Sequence, residues 1–292
     1  RLYGELAEHK EAVERWNAAM TRDLEMARSV QRALIPNEVV EIPSLDIAFR
    51  YEPAIQVGGD MLDILPVNDR KVLLFVGDAT GHGVHAALVM CAVRMAVHAA
   101  VKSDPRPESV LNRVNEVLVQ LCVQSLVTAA CCVVDPTGLH AEVSLAGHPG
   151  PLWFRAETAQ TVEQTGGGLP LGVGEDTEYA TTRVVLQQGD ALVLFTDGIV
   201  EAFNDERSQY GKGRLKNQLV GCGRSSAEEI CAAIRRDFDV HHRSATREDD
   251  VTLLVIKVPD SQPRAPGSSC QAASSETGKV CAEDAQADLD AI

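Results

Sequence analysis

Three apolar runs in this chain end on aspartate or start from it, and no other feature limits the possible folds as much. Val72-Leu73-Leu74-Phe75-Val76-Gly77 leads into Asp78, and Leu192-Val193-Leu194-Phe195-Thr196 leads into Asp197. Asp249-Asp250 opens directly onto Val251-Thr252-Leu253-Leu254. Short, almost wholly apolar runs of this kind read as fully buried strands. A single Asp at a strand end is commonly a turn former. Here Gly58-Gly59-Asp60, followed by Asp63, adds a fourth acidic site flanked by strand residues. Like charges gathered at the edge of a core repel unless something positive lies between them. No Lys or Arg stands beside Asp60, Asp78 or Asp197 within its motif. Oxygen donors without His or Cys suit hard divalent cations, magnesium or manganese. Two such ions sharing a carboxylate can generate hydroxide and bind phosphoryl oxygens. Gly77, Gly81 and Gly83 would let the backbone approach an ion and lend it a carbonyl.

The rest of the chain supplies layers for these strands. Leu6, His9, Val13, Trp16, Met20, Asp23, Ala27, Val30 and Leu34 recur at alternating spacings of three and four, the seam of a coiled coil, and Pro36 ends it. Residues 1–36 are therefore expected to be a signalling helix that forms a parallel homodimer. From Leu45 the period changes to two. Strands are expected near 45–52, 57–65, 71–76, 127–134, 139–145, 152–155, 181–186, 191–196 and 251–258. Helices are expected over 84–101, 108–121 and 227–239. Strands in runs with helices in pairs predict an α+β fold with a largely antiparallel sheet, a sandwich spanning residues 37–259. Residues 260–292 turn to Ser, Ala, Gln, Gly and Pro with an excess of acids, and read as a disordered acidic tail.

Composition excludes several function classes. With 27 Lys and Arg against 42 Asp and Glu, the formal net charge is −15. That argues against a nucleic-acid partner, because phosphate-backbone affinity comes from clustered basic residues. The most apolar helical stretch, 84–101, is interrupted by His85, Arg94 and His98, so no membrane contact is expected. Eight cysteines without a C-x-x-C pair read as reduced thiols of a cytoplasmic protein. The chain begins Arg-Leu-Tyr without an initiator Met, which suggests a fragment with a sensor domain upstream.

Six strings occur in order: Val-Gly-Gly-Asp at 57–60 with Asp63, Gly-Asp-Ala-Thr-Gly-His-Gly at 77–83, Ala-Gly-His-Pro at 146–149, Pro-Leu-Gly-Val at 170–173, Phe-Thr-Asp-Gly-Ile-Val-Glu-Ala at 195–202 and Asp-Asp-Val-Thr at 249–252. Together they resemble the metal-dependent protein phosphatases (PPM family), in the bacterial branch of sporulation protein E and the sigma-factor regulator phosphatases. The resemblance covers residues 22–258 and implies an α-β-β-α sandwich, two Mn2+ or Mg2+ ions, and hydrolysis of phosphoserine or phosphothreonine in a partner protein. A STAS-type anti-sigma-factor antagonist is the implied substrate.

Carried over by motif, Asp78 resembles the carboxylate that bridges both ions, and Ala79 the residue whose carbonyl holds the second. Asp197 and Asp249 resemble ligands of the first ion. Asp60 resembles the acid that orients water on the second, with Asp63 the weaker candidate. Asp250 is expected to brace a loop and Glu201 to be structural. Where the eukaryotic branch carries a candidate acid His, this chain has Thr80. His82 and His148 are expected to cap or brace loops, which leaves the general acid unassigned.

The alternative enzyme class is a diguanylate-type nucleotide cyclase, which also carries a Gly-Gly-Asp turn. Here Met61-Leu62 follows the turn where acidic and aromatic residues would be needed, and the Asp197 and Asp249 motifs would go unexplained. A non-catalytic pseudophosphatase scaffold would be marked by lost metal acids, and none is lost. A P-loop is excluded because Gly166-Gly167-Gly168 and Gly211-Lys212-Gly213 lack the Gly-Lys-Ser/Thr ending.

Overall fold

Period-two burial decides the architecture. In the strand Val72–Ala79, Leu73 and Phe75 join one apolar cluster while Val72, Leu74 and Val76 join another. In the strand Val251–Lys257, Leu254 and Ile256 join that second cluster while Leu253 and Val255 join a third. Strands buried on both faces in this way require four layers, with one apolar stratum between the sheets and one under each helical layer.

The computed structural model describes residues 2–36, 41–42, 44–121, 125–243 and 249–260. In chain order the elements are α1 Leu2–Leu34, β1 Asp46–Glu52, β2 Asp60–Pro66, β3 Val72–Ala79, α2 Val84–Ser103, α3 Pro107–Gln120, β4 Val127–Asp135, β5 His140–Ala146, β6 Leu152–Arg155 and β7 Gln160–Glu163. They continue with β8 Thr181–Val185, β9 Ala191–Phe195, α4 Asp197–Val200, α5 Gly211–Cys222, α6 Ala227–His242 and β10 Val251–Lys257. One sheet runs β1-β10-β9-β6-β7 and the other β2-β3-β4-β5-β8, with antiparallel pairing between neighbours. Helices α2 and α3 cover the second sheet and α5 and α6 the first. This is the expected α+β sandwich with its N-terminal helix. The expected tail lies outside the described residues.

Four elements depart from the sequence expectation, among them the four-residue helix α4, which follows β9 without a helical signal of its own. The strand expected at 57–65 begins only at Asp60. Gly58 is held by the Gln31 side chain, and the N–H groups of Gly59 and Asp60 by the Asp250 carboxylate, so residues 57–59 are not free to pair. Helix α5 was not expected, because three glycines in Gly211–Cys222 erase the helical signal. Burial of Leu215 and Leu219 against the first sheet holds it instead. The short edge strand β7 was also not expected.

The interruptions at His85, Arg94 and His98 do not bring the stretch 84–101 below the length and hydropathy of a membrane-spanning helix. Helix α2 has 20 residues, and its most apolar 18-residue stretch has a mean hydropathy of 1.7, long and apolar enough by length and composition alone. Its apolar face, including Val89, Met90, Val93 and Val97, packs into the cluster beneath it. Two of its polar interruptions turn inward to Asp63: His98 Nε2 lies 2.6 Å from Asp63 Oδ2 and Arg94 Nε 3.1 Å from the same oxygen.

Candidate metal centre

Strand parity sorts the candidate acids before any distance is measured. Asp78 continues the Val72, Leu74, Val76 face of β3, and Asp60 the Leu62, Ile64 face of β2, so both point between the sheets. They are also register partners across the β2–β3 pair. Asp63 has the opposite parity and lies under α2, where His98 and Arg94 take its carboxylate. Asp63, the weaker metal candidate, is thereby removed from the site. Its task is to fasten α2 to β2.

Asp197 enters from the other sheet as the first residue of α4, immediately after β9. Asp249 and Asp250 stand just before β10, and a Cβ at Gly198 would lie 1.9 Å from the Asp250 carbonyl oxygen. Only glycine lets the Asp197 turn press against the Asp249-Asp250 backbone, and this closeness brings the two motifs together although they are far apart in sequence. Glu201 closes α4, its N–H bonding the Asp197 carbonyl at 2.8 Å.

The electrostatics show carboxylates gathered without enough positive charge. Burial first, then the charges of Asp197, Asp249 and Asp250, push the Asp78 carboxyl up to about 8. Burial and the neighbouring Asp78 push Asp60 well above the usual carboxylate range, while the hydroxyls of Thr252 and Thr196 pull it back. Asp249 is raised by burial, with Asp197 and Asp250 adding to it. Asp250 is occupied differently. Its Oδ1 accepts from Ala54 N at 2.7 Å, and its Oδ2 from Gly59 N at 2.6 Å and Asp60 N at 3.1 Å. With three backbone donors it is the expected loop brace.

Among the described residues no group of three His, Cys, Asp or Glu side chains closes to ready-made coordination geometry. The donor set nevertheless fits a hard divalent cation. A Cβ at Gly59 would come within 2.9 Å of the Ala79 carbonyl oxygen, 3.1 Å of the Gly81 carbonyl oxygen and 3.2 Å of Asp78 Oδ1. The missing side chain thus leaves a space walled by three oxygens, the ligand chemistry that magnesium and manganese take.

Four residues near the acids were not singled out in the sequence. Thr196 and Thr252 bond Asp60 from the opposite sheet. Both occur inside the quoted motifs, and their parity on β9 and β10 would have placed them between the sheets. Thr128 has the same parity on β4, facing His148. Gln31 of α1 grips Gly58 with both ends of its amide, donating from Nε2 to the carbonyl at 2.7 Å and accepting from the N–H at 3.0 Å. No motif marks it.

His82, expected to cap or brace a loop, is exposed, and the helix that follows it has no side-chain cap at its N-terminus. His85 Nε2 lies 2.7 Å from Ser125 Oγ. His148 Nε2 donates to the Phe195 carbonyl at 3.1 Å, which leaves Nδ1 to accept from the Thr128 hydroxyl at 2.8 Å, joining the two sheets beside the acids. Burial pushes its imidazole down to about 4 from an ordinary 6.5, so it is neutral. Between those two pH values the unfolded chain binds more protons here than the folded one. The stability His148 contributes is therefore complete above pH 6.5 and is lost as pH falls toward 4. His148→Gln is expected to flatten the acid side of the stability profile. Urea unfolding of both proteins across that pH range measures this, and a pH-independent difference between them would refute the neutral brace.

Comparison with known proteins bears on the family and the fold. The chain is 27% identical over 243 residues to phosphoserine phosphatase RsbU of Bacillus subtilis strain 168, covering 80% of this chain and 70% of that protein. The SiaA-PP2C domain of Pseudomonas aeruginosa superposes with a TM-score of 0.74 at 21% identity, covering 82% of this chain and 98% of that domain. The RsbU and RsbW domains of Rv1364c from Mycobacterium tuberculosis match with a TM-score of 0.66 at 28% identity, covering 78% of this chain and 64% of that one. None of these favours the cyclase alternative. Residues 68–259, well over half of the chain, match the family described as Stage II sporulation protein E (SpoIIE), and the chain belongs to this SpoIIE family of PP2C-type phosphatases.

Proposed function

We propose that this chain is a metal-dependent phosphoprotein phosphatase that removes phosphate from serine or threonine of a STAS-type anti-sigma-factor antagonist. The observation that carries the reading is the convergence of Asp60, Asp78, Asp197 and Asp249 from two sheets, with the carboxyls of Asp60, Asp78 and Asp249 raised by burial and by neighbouring carboxylates. The carboxylates of these four residues and the carbonyl of Ala79 would hold two Mn2+ or Mg2+ ions. When bound, such ions supply Lewis acidity that activates water for attack at phosphorus and offsets charge on the phosphoryl oxygens. Asp250 holds the Gly59-Asp60 backbone in place, and His148 keeps the sheets in register. Thr80 Oγ1 accepts from Leu126 N at 3.1 Å, so its side chain is tied to the loop rather than placed as an acid. The direct test is release of phosphate from a phosphorylated STAS protein by the purified chain, with and without manganese. No release with manganese present would overturn the reading.

We further propose that α1 forms a parallel homodimer and carries a signal from an upstream sensor. Val13, Trp16, Met20 and Val30 of the seam are exposed on the single chain, while Gln31, on the same helix, is clamped to the loop that bears Asp60. Helix α1 also packs on α2, which starts directly after the Asp78 loop. Rotation of α1 would thus be felt at Gly58 and at α2, a physical link between a bistable helix pair and the acids. Replacing Val13 and Met20 with Glu places like charges in the seam and should give monomers with altered activity. A monomeric parent chain at high concentration in sedimentation, together with unchanged activity after removal of residues 1–35, would refute the coupling.

A further inference from the structure

Asp60 is held from across the sandwich by two hydroxyls aimed at a single oxygen. Thr196 Oγ1 donates to Asp60 Oδ2 at 2.7 Å and Thr252 Oγ1 donates to the same Oδ2 at 2.6 Å. Thr196 Oγ1 in turn accepts from Thr252 N at 3.1 Å, which fixes the direction of its proton toward Asp60. Thr196 N donates to the Thr252 carbonyl at 3.1 Å, so the two threonines are locked to each other through the backbone. Both are fully buried, and Asp60 itself is 3% exposed.

The geometry points to Thr196 and Thr252 as a hydroxyl pair that commits Asp60 Oδ2 to the protein and thereby reserves Oδ1 for a divalent cation. This rests on the metal-centre reading above and adds to it the positioning residues that make Asp60 a ligand of one defined oxygen. A carboxylate on a short side chain can turn about its last bond, and a buried one with a single donor would have two ways to meet an ion. Two donors on one oxygen, from adjacent strands of the facing sheet, remove that freedom before any ion arrives. The pair also explains an apparent conflict in local chemistry. Threonine matches valine in shape but not in polarity, and a buried hydroxyl is costly unless its proton is used. Here both protons are used on the same acceptor. Hydrogen-bonding partners of metal-ligating groups typically contribute about 10–100-fold in metal affinity.

The test compares Thr196→Val, Thr252→Val and the double variant with the Thr→Ser changes at the same sites, using Mn2+ itself as the probe. Calorimetric titration of the metal-free proteins is expected to show Mn2+ affinity weakened by about 10-fold or more in the double Val variant. The Ser variants, which keep the hydroxyl, are expected to stay close to wild type. Thermal melts of the metal-free proteins check folding. Wild-type Mn2+ affinity in a folded double Val variant would overturn the inference, as would Ser variants that bind as poorly as the Val ones. If the parent chain binds Mn2+ and Asp78→Asn does not, while the Val variants bind normally, only this inference falls. If the parent chain binds no Mn2+, the metal-centre reading falls with it.

Discussion

Asp78→Asn is expected to lower phosphatase turnover at least ~100-fold, the loss seen when electrostatic stabilisation is removed from a reacting centre, and to leave the fold intact. The two halves of this expectation have the same origin. Asp78 lies between the sheets, paired in register with Asp60 and exposed to the charges of Asp197, Asp249 and Asp250. Its carboxylate is what would bridge two cations, so a neutral amide of the same size cannot replace it in activity. In the metal-free protein the same charge is a burden, because burial and its neighbours hold its carboxyl up near 8. The Asn variant should therefore melt at the same temperature as metal-free wild type or above it, and the gap should widen as pH rises. Turnover on a phosphorylated partner and melts without metal measure both halves. Near-normal turnover in the variant with manganese present would remove Asp78 from the centre of the mechanism.

The strands and their acids were legible in the sequence because burial on two faces leaves runs such as Val72–Phe75 and Val193–Phe195 with no polar interruption. The pairing of Asp197 with Asp249 was legible only through family resemblance, since it depends on a close backbone approach at Gly198. Spacing carries no trace of such a contact. Asp63 shows the opposite case. Its parity relative to Asp60 on one strand was enough to place it on the helix side, yet its position within a motif suggested a metal ligand. Parity also held the clue to Thr196 and Thr252, hydroxyls that a reading centred on charge passes over. Helix α5 and the Gln31 clamp had no local signal. The first forms through burial of two leucines despite its glycines, and the second is a contact between a polar side chain and a loop 27 residues away.

Stripping the protein with EDTA is expected to abolish activity, and restoring Mn2+ to raise the melting temperature, with a rise that depends on pH in a defined sense. Asp60, Asp78 and Asp249 have carboxyls above their ordinary value in the folded chain. Between the unfolded value and the raised ones, the folded state binds more protons than the unfolded state. Stability of the metal-free protein therefore falls as pH rises through that interval, which for Asp78 extends from 3.8 to about 8. A cation competes with those protons for the same oxygens, so it binds weakly at the acid end and strongly at the alkaline end. A ligand at a hundredfold excess over its Kd stabilises by about 2.7 kcal/mol, equivalent to roughly 5–11 °C for a domain of this size. At a fixed Mn2+ concentration the shift should accordingly grow between pH 6 and pH 8, the span in which Asp78 loses its proton. Differential scanning calorimetry at several pH values, with and without Mn2+, measures it. The double variant Asp60→Asn with Asp78→Asn should lose both the shift and its pH dependence. A shift of equal size at every pH would mean that Mn2+ binds elsewhere on this acidic surface, because exposed carboxylates are already ionised across the whole range. Full activity in protein shown to be free of metal would exclude catalysis by the bound cations altogether.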